Sequence, residues 1–468
     1  MVSTLERRST PHEGADAPRP ASTWLVALLG ALPTLVAAFL APEHLLDDVE
    51  FAAAARFEGL SGFFWEMRFR PGQGLVHAAQ FLLLGGHASA LLVVHGAVAG
   101  LVAVAWWRLL RLVVSPSLAI AATIAYLALP NRGSLRFWVS TLPNQLAILC
   151  VLSAAIVIAR CWRRRPTGEV VVTTGEWMSV GALVLAAVMT YEGTLAVALV
   201  SVAALLWLDR RRWPFAVGVT AALGLFVVVS IAGRPTDLEV AFLAGGADAL
   251  PSHLRSLEVP VVPALPVVAF LSSAIAAVVT LRRHLDRDQP PLDDPFVHAA
   301  VTVVVGAAVV AAGLAPFVAA GFNLQPFGVL DRGHAIAAFG DALVFGGGAV
   351  LVARWLAGRT LAAGSAGSRG LAVAVGWVLG GLVVAGAVGV ADDLDDYVTA
   401  SEVAREARAT LATIDRPEPG GVVMIERPPV VNGVTWAYFV VQLRDEYQLV
   451  HDDPVVPEWL VWAPPPSD

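Results

Sequence analysis

The 468-residue chain has no lysine; all 31 of its basic residues are arginine. Together with abundant Ala, Val and Gly, that bias marks a GC-rich bacterial coding sequence. Charge of either sign is sparse at 15%, and a formal net charge of -7 speaks against a nucleic-acid partner. The two cysteines, Cys150 and Cys161, would lie about three turns apart on one helix, too far to bridge, so no disulfide is expected. Also missing are a P-loop, a dinucleotide fingerprint, HExxH, GxSxG and any cysteine metal pattern. No nucleotide site or cofactor is therefore signalled, and a divalent metal, though chemically compatible, is not indicated. Inverted repeats of the transporter kind do not stand out.

What is present is apolar. Hydrophobic residues make up 57% of the chain and the mean hydropathy is +0.69. Runs near 20 apolar residues recur, so the fold class is an all-α polytopic membrane protein. The candidate crossings are 22–41, 87–107, 114–130, 143–160, 176–190, 194–208, 213–232, 260–281, 297–319, 335–356 and 370–391. Residues 1–21 are polar and Pro-rich and read as a disordered tail. The first run lacks a clean cleavage site and reads as a retained helix. Residues 392–468 read as a small α/β appendage. It opens with helical periodicity in "DDLDDYVTASEVAREARATLATI" and has strand candidates "GVVMIE" and "YQLVHD". "TWAYFVVQL" fits strand or helix, and the final "APPPSD" reads as frayed.

One segment, 71–86, is too short to cross. Its Gln73, His77 and Gln80 share a helical face, the pattern of a helix lying in the membrane interface. Arginine counts support that choice. After residue 86 the connecting loops form two alternating sets. One holds Arg108, Arg111, Arg160, Arg163 to Arg165, Arg210 to Arg212, Arg282, Arg283, Arg287, Arg354, Arg359 and Arg369. The other holds Arg132, Arg136, Arg234, Arg255 and Arg332, a ratio of fifteen to five. Basic loops stay cytoplasmic, and Arg7, Arg8 and Arg19 favour an internal N-terminus. Both conditions hold only if 71–86 does not cross. The prediction is eleven crossings of a bacterial cytoplasmic membrane, with the N-terminus inside, the first external loop at 42–86 and the tail outside.

The unusual chemistry then falls on the external side. "EHLLDDVEFAAAARFEG" places Asp47, Asp48 and Glu50 just after the first crossing. Acids at the C-terminal end of a helix oppose its dipole, which argues against simple capping. The alternatives are loop charge or a carboxylate acting as general base. In "MRFRPGQG", Arg68 and Arg70 either snorkel to lipid phosphates or hold a lipid-linked phosphate. "NRGSLRFWVSTL" brings Arg132, Arg136 and Trp138, with Trp138 either an interface anchor or a surface for stacking a sugar. "MTYEGTLAV" must turn between two short crossings, so Glu192 faces a cavity or an ionic partner. "AGFNLQPFGVLDRGH" offers Arg332 and His334 either as polar loop residues or as neutralisers of a leaving phosphate, while Asp341 faces the bundle interior.

This order of parts resembles the polyprenyl-phosphate-dependent glycosyltransferases of the GT-C class, the protein O-mannosyltransferase-like group in particular. The likeness covers about residues 22–230. It rests on the acidic first loop, the "FRP" step at Arg70-Pro71, the Trp138 loop and the Glu192 turn. It implies Asp47 or Asp48 as catalytic base. It further implies Arg70 and Glu192 at the site of a polyprenyl-phosphate-linked sugar donor. With the residue readings above, the expected substrate-binding set is Glu50, Arg70, Arg136, Trp138, Glu192, Arg332 and His334. The partners are that donor, membrane lipid and an external glycan, lipid or protein acceptor. The chain departs from the pattern in two places. Tyr191-Glu192-Gly193 lacks the family's Lys, and Gly72 stands where Leu is usual. Two other classes fit the composition: a transporter or flippase of a lipid-linked sugar, and a non-catalytic envelope-assembly protein.

Overall fold

The computed structural model describes residues 20–40, 42–68, 70–130, 132–164, 172–232, 249–258, 264–285, 295–319, 333–361, 367–427, 430, 434, 437 and 440–463. Helix α1 (Pro20–Leu40) leads into three short helices: α2 (Asp47–Ala53), α3 (Leu60–Glu66) and α4 (Pro71–Leu84). Next come α5 (Ala88–Val113), α6 (Pro116–Leu127), α7 (Gly133–Phe137), α8 (Leu142–Arg163), α9 (Thr174–Thr190), α10 (Leu195–Leu208) and α11 (Trp213–Ala232). The remaining helices are α12 (Ala249–Arg255), α13 (Ala264–Leu285), α14 (Pro295–Ala319), α15 (Ala337–Leu361), α16 (Gly367–Leu411) and α17 (Val440–His451). Strands β1 (Val423–Ile425) and β2 (Leu460–Trp462) pair in parallel on either side of α17.

Among the described residues, seven helices are long and apolar enough to cross a membrane, and α6, α9 and α10 are shorter apolar helices. The chain is thus an all-α membrane protein with a small sheet. Its outer surface carries the apolar side chains that lipid requires, such as Trp24, Leu28 and Phe39 on α1 and Leu225 and Val228 on α11. Inside, small residues let backbones approach, because lipid gives apolar side chains no incentive to pair with one another. Helix α1 lies on α5 where Gly100 meets the carbonyl of Ala27. Helix α15 is the most enclosed and packs on α6, α13, α14 and α16.

Three expectations need correction. The polar face of α4 points inward: Gln73, His77 and Gln80 are buried, while Leu75 and Leu83 are exposed. Exposed leucines suit a helix that meets lipid, but its polar side chains serve the protein interior rather than water. Asp47, Asp48 and Glu50 do not trail α1. They form the first turn of α2, where the helix dipole favours acids. Finally, "YQLVHD" is helical, since it lies on α17, whereas "GVVMIE" contains β1 as expected. A single helix, α16, runs through the boundary expected at residue 392 and carries the chain into the appendage without a break. The N-terminal tail and the end of "APPPSD" lie outside the described residues.

The α14–α15 contact yields a test. A Cβ on Gly340 would stand 2.6 Å from the Val310 backbone nitrogen, and one on Gly306 2.7 Å from the Gly340 carbonyl. Gly340→Leu is expected to destabilise the bundle by about 2 kcal/mol or more. Gly380→Leu, with nothing within 4 Å of its Cβ, serves as control. Thermal unfolding in detergent should separate the two variants, and equal melting temperatures would refute this packing.

Candidate functional site

The site is built where the chain leaves α1. Leu46 takes a left-handed backbone, φ 53°, and α2 starts at the next residue. Such a conformation costs a leucine energy and persists only where the surroundings enforce it. Here Leu46 is buried with Leu45, Phe137 and Trp138. The reversal aims Asp48 inward, 1% exposed. Asp48 Oδ1 accepts from the Ser140 backbone N–H at 2.8 Å and from the Ser140 hydroxyl, and Oδ2 accepts from the Leu45 N–H at 3.3 Å. Ser140 sits in a 3-10 turn before α8. That turn is held by Thr141 Oγ1, which bonds the carbonyls of Ser134 at 2.7 Å and Trp138 at 2.8 Å. Burial pushes the Asp48 carboxyl up to about 7 against the pull of the Ser140 and Leu45 hydrogen bonds.

Asp47 and Asp48 diverge because neighbours on a helix point about 100° apart. Asp47 accepts from Gln442 Nε2 of α17 at 3.2 Å, and Glu50 is half-buried on the same helix. Trp138 is not an open stacking surface. It is 2% exposed, and its Nε1 donates to the Leu45 carbonyl at 3.1 Å, clamping the two loops.

The appendage closes the other side. Arg408 of α16 pairs with Glu43 and with Glu446 of α17, and donates to the His44 carbonyl at 3.1 Å. Burial opposes its charge, yet Glu446, Glu43 and Asp48 together keep it a firm cation. Burial and Arg408 push His44 down to about 4, so it is neutral, and its Nε2–H donates to the Gly86 carbonyl. His44, Arg56, Phe81, Arg408, Glu446 and Leu449 help line a cavity of about 490 Å³ between α2, α4 and α17. Asp445 is pushed up to about 7 by burial and then by Glu58 and Glu446.

Arg70 precedes α4, and Gly72 lets that helix touch the end of α9: a Cβ there would stand 2.7 Å from Thr190 Oγ1. Arg70 therefore reaches Glu192 and forms an ion pair, each side chain 25% exposed. Glu192 has an ionic partner, one of the two roles expected for it. From Arg70 the polar side chains of α4 continue inward. Arg70 is 3.4 Å from Gln73 Oε1, Gln73 is 3.2 Å from His77, and His77 is 3.2 Å from Gln80. Gln80 donates to the Val139 carbonyl at 3.4 Å.

A second polar cluster lies beyond α7. Arg132 donates to Asp341 at 3.2 Å, and Asp341 accepts from His253 at 3.0 Å. His253 is 3.1 Å from His334. All four are buried, so His334 is spent within the bundle, and Asp341 faces the interior as expected. Arg136 lies 3.8 Å from Asp393 of α16 and donates to the Leu129 carbonyl at 2.7 Å. Burial pushes Asp393 up to about 7 despite the nearby arginines. Arg332 lies outside the described residues. Among the described residues, no three His, Cys, Asp or Glu side chains gather as a metal-binding set.

The structure thus joins Asp47, Asp48, Arg70 and Glu192 through α2 and α4, and places Arg136 and His334 in the second cluster. Sequence reasoning missed Ser140, Arg408, Glu446 and His253. The only hint was Arg405 and Arg408 three apart on one helical face of the tail. No family model matches the chain, and no curated protein matches it.

These carboxylates give a pH signature. A buried Asp48 favours its protonated form relative to the unfolded chain. Its contribution to stability is therefore full below about pH 4 and is lost as the pH rises through about 7. Asp393 and Asp445 act in the same sense. The melting temperature in detergent is expected to fall between about pH 4 and 7, and Asp48→Asn to flatten part of that fall. An unchanged pH slope in the variant would contradict the assignment.

Proposed function

We propose that this chain is an eleven-span bacterial membrane glycosyltransferase that transfers a sugar from a polyprenyl-phosphate donor to an acceptor hydroxyl on the external face. The arginine asymmetry supports the orientation, and a helix coincides with every expected crossing, including the short α6, α9 and α10 and the first half of α16. Asp48 carries the reading. It is an aspartate whose burial pushes its carboxyl up to about 7, in the range a general base at neutral pH needs.

The acceptor oxygen attacks the anomeric carbon and its proton passes to Asp48. The sugar–phosphate bond breaks, and the electron pair leaves with the polyprenyl phosphate. Arg408, the cation that borders the cavity and acts on Asp48, would take the developing phosphate charge, while Arg70 is held by Glu192 at the far end of α4. That cavity lies between α2, α4 and α17. Its wall residue Arg408 lies within electrostatic reach of Asp48. Asp48 is favoured over Asp47, which is half-buried and engaged by Gln442. Arg136 and His334 act at a distance, as parts of the cluster that holds α7.

A transporter is the second reading, favoured by the buried ionisable set of Arg132, His253, His334 and Asp341 inside the bundle. One assay separates the two. Membranes are given a polyprenyl-phosphate sugar, and both acceptor product and the leaflet of the donor are followed. Asp48→Asn should lower transfer by about 10²-fold or more, with Asp47→Asn close to wild type. Full transfer by Asp48→Asn would end the catalytic assignment. Donor movement without any transfer would favour the transporter.

A further inference from the structure

The polar file on α4 has a direction. Arg70 is a pure donor and gives a hydrogen to Gln73 Oε1. The Gln73 amide nitrogen is itself a donor, so His77 Nε2 must accept from it. His77 is then the neutral Nδ1–H tautomer, and Nδ1 donates to Gln80 Oε1. The Gln80 amide nitrogen donates to the Val139 carbonyl. That carbonyl belongs to the same peptide group whose N–H, on Ser140, donates to Asp48 Oδ1 at 2.8 Å. Every donor in the file points from Arg70 towards Asp48. Phe51, three residues after Asp48, stacks on the His77 ring at 3.9 Å and fixes its plane. His77 is fully buried, and Gln73 and Gln80 nearly so.

We propose that His77 is a positioning residue: as the Nδ1–H tautomer it couples the Arg70–Glu192 ion pair to Asp48 through one unidirectional chain of hydrogen bonds. The functional meaning of this coupling rests on the reading of Asp48 as the base, but the coupling itself does not.

Chains of aligned hydrogen bonds polarise one another, by roughly 10–30% per bond. A donor on the Val139 carbonyl makes the Ser140 N–H a stronger donor, which favours the ionised Asp48. The cation at the head of the file works in the same sense. An anionic ligand that engages Arg70 weakens that polarisation, so Asp48 becomes a stronger base when Arg70 is engaged. Other groups act on Asp48 from the elements around α2. They are Asp47 on α2 itself and Arg408 on α16, and Arg408 is in turn coupled to Glu43 and His44 before α2 and to Glu446 on α17, beside Asp445. None of them belongs to the file, so changes within the file can be read against a constant background.

The test titrates Asp48 directly. The infrared carbonyl band of its protonated carboxyl, identified as the band lost in Asp48→Asn, is followed against pH in full-length protein. Three backgrounds are compared: His77→Leu, His77→Gln and Arg70→Gln. Glutamine keeps one donor and one acceptor, and leucine neither. The midpoint should rise by about half a unit in His77→Leu and in Arg70→Gln, and return towards wild type in His77→Gln. Should His77→Leu fail to fold, Arg70→Gln, at the half-exposed end, supplies the reading. An unmoved midpoint, or equal shifts in the Leu and Gln variants, overturns the proposal. The transfer assay on Asp48→Asn stands apart. If it shows full activity while the midpoints move as stated, the enzyme reading fails and the coupling survives.

Discussion

The hydrogen bonds between Asp48 and Ser140 join two segments 92 residues apart, and the rest of the site hangs on that joint. They bring the reversal after α1 against the turn before α8. Trp138 reinforces it from the other side by donating to Leu45. Once these loops are locked, α2 has one orientation. Asp47 must then face α17, Phe51 must face His77, and α4 must lie with its polar edge inward. A carboxylate so deeply buried is a costly device. Its ionisation is opposed by burial and supported by three hydrogen bonds from two residues, a balance that leaves it titrating near neutrality.

Much of the bundle was legible because a membrane leaves few options. Long apolar runs must become helices, and α5, α8, α13 and α14 appear where hydropathy placed them. The short pair α9 and α10 was also readable, since arginines on both flanks forced a turn at Glu192. Other features were hidden for specific reasons. The inward face of α4 has the same spacing of Gln73, His77 and Gln80 as an outward one; periodicity gives a face but not its direction. The helix start at Asp47 was masked because Leu46 carries no capping side chain, so acids that favour a helix N-terminus looked like a misplaced C-terminal set. His253 and His334 met only through tertiary packing, 81 residues apart.

The second cluster explains why Arg132 and Asp341 sit inside a chain poor in charge. Paired with each other, and with His253 beside them, they escape the penalty of an isolated buried charge. Their effect is geometric. The Arg132 N–H and the Arg136 guanidinium both turn to Asp393, which ties α7 to α16. Gly133 permits that contact, since a Cβ there would stand 2.8 Å from the Tyr397 ring. The loop bearing Trp138 and Ser140 is therefore held at both ends, by this cluster and by Asp48.

That arrangement makes the appendage part of the site rather than a separate module. Helix α16 is 45 residues long and brings Asp393, Tyr397, Arg405 and Arg408 in from the bundle on one rigid rod. Asp393 anchors its middle to α7, and Arg408 anchors its far end to Glu43, one residue before His44. The exposed Arg56–Asp452 pair, 61% and 65% open, adds little. The Arg408 contacts, shielded between two carboxylates, matter far more. Arg408 lines the cavity, is stabilised by Asp48, and lowers the proton affinity of His44. A shift of α17 that pulled Glu446 away would change the charge felt by both groups. Helix α17 thus supplies both part of the cavity wall and a partner of the arginine that acts on Asp48.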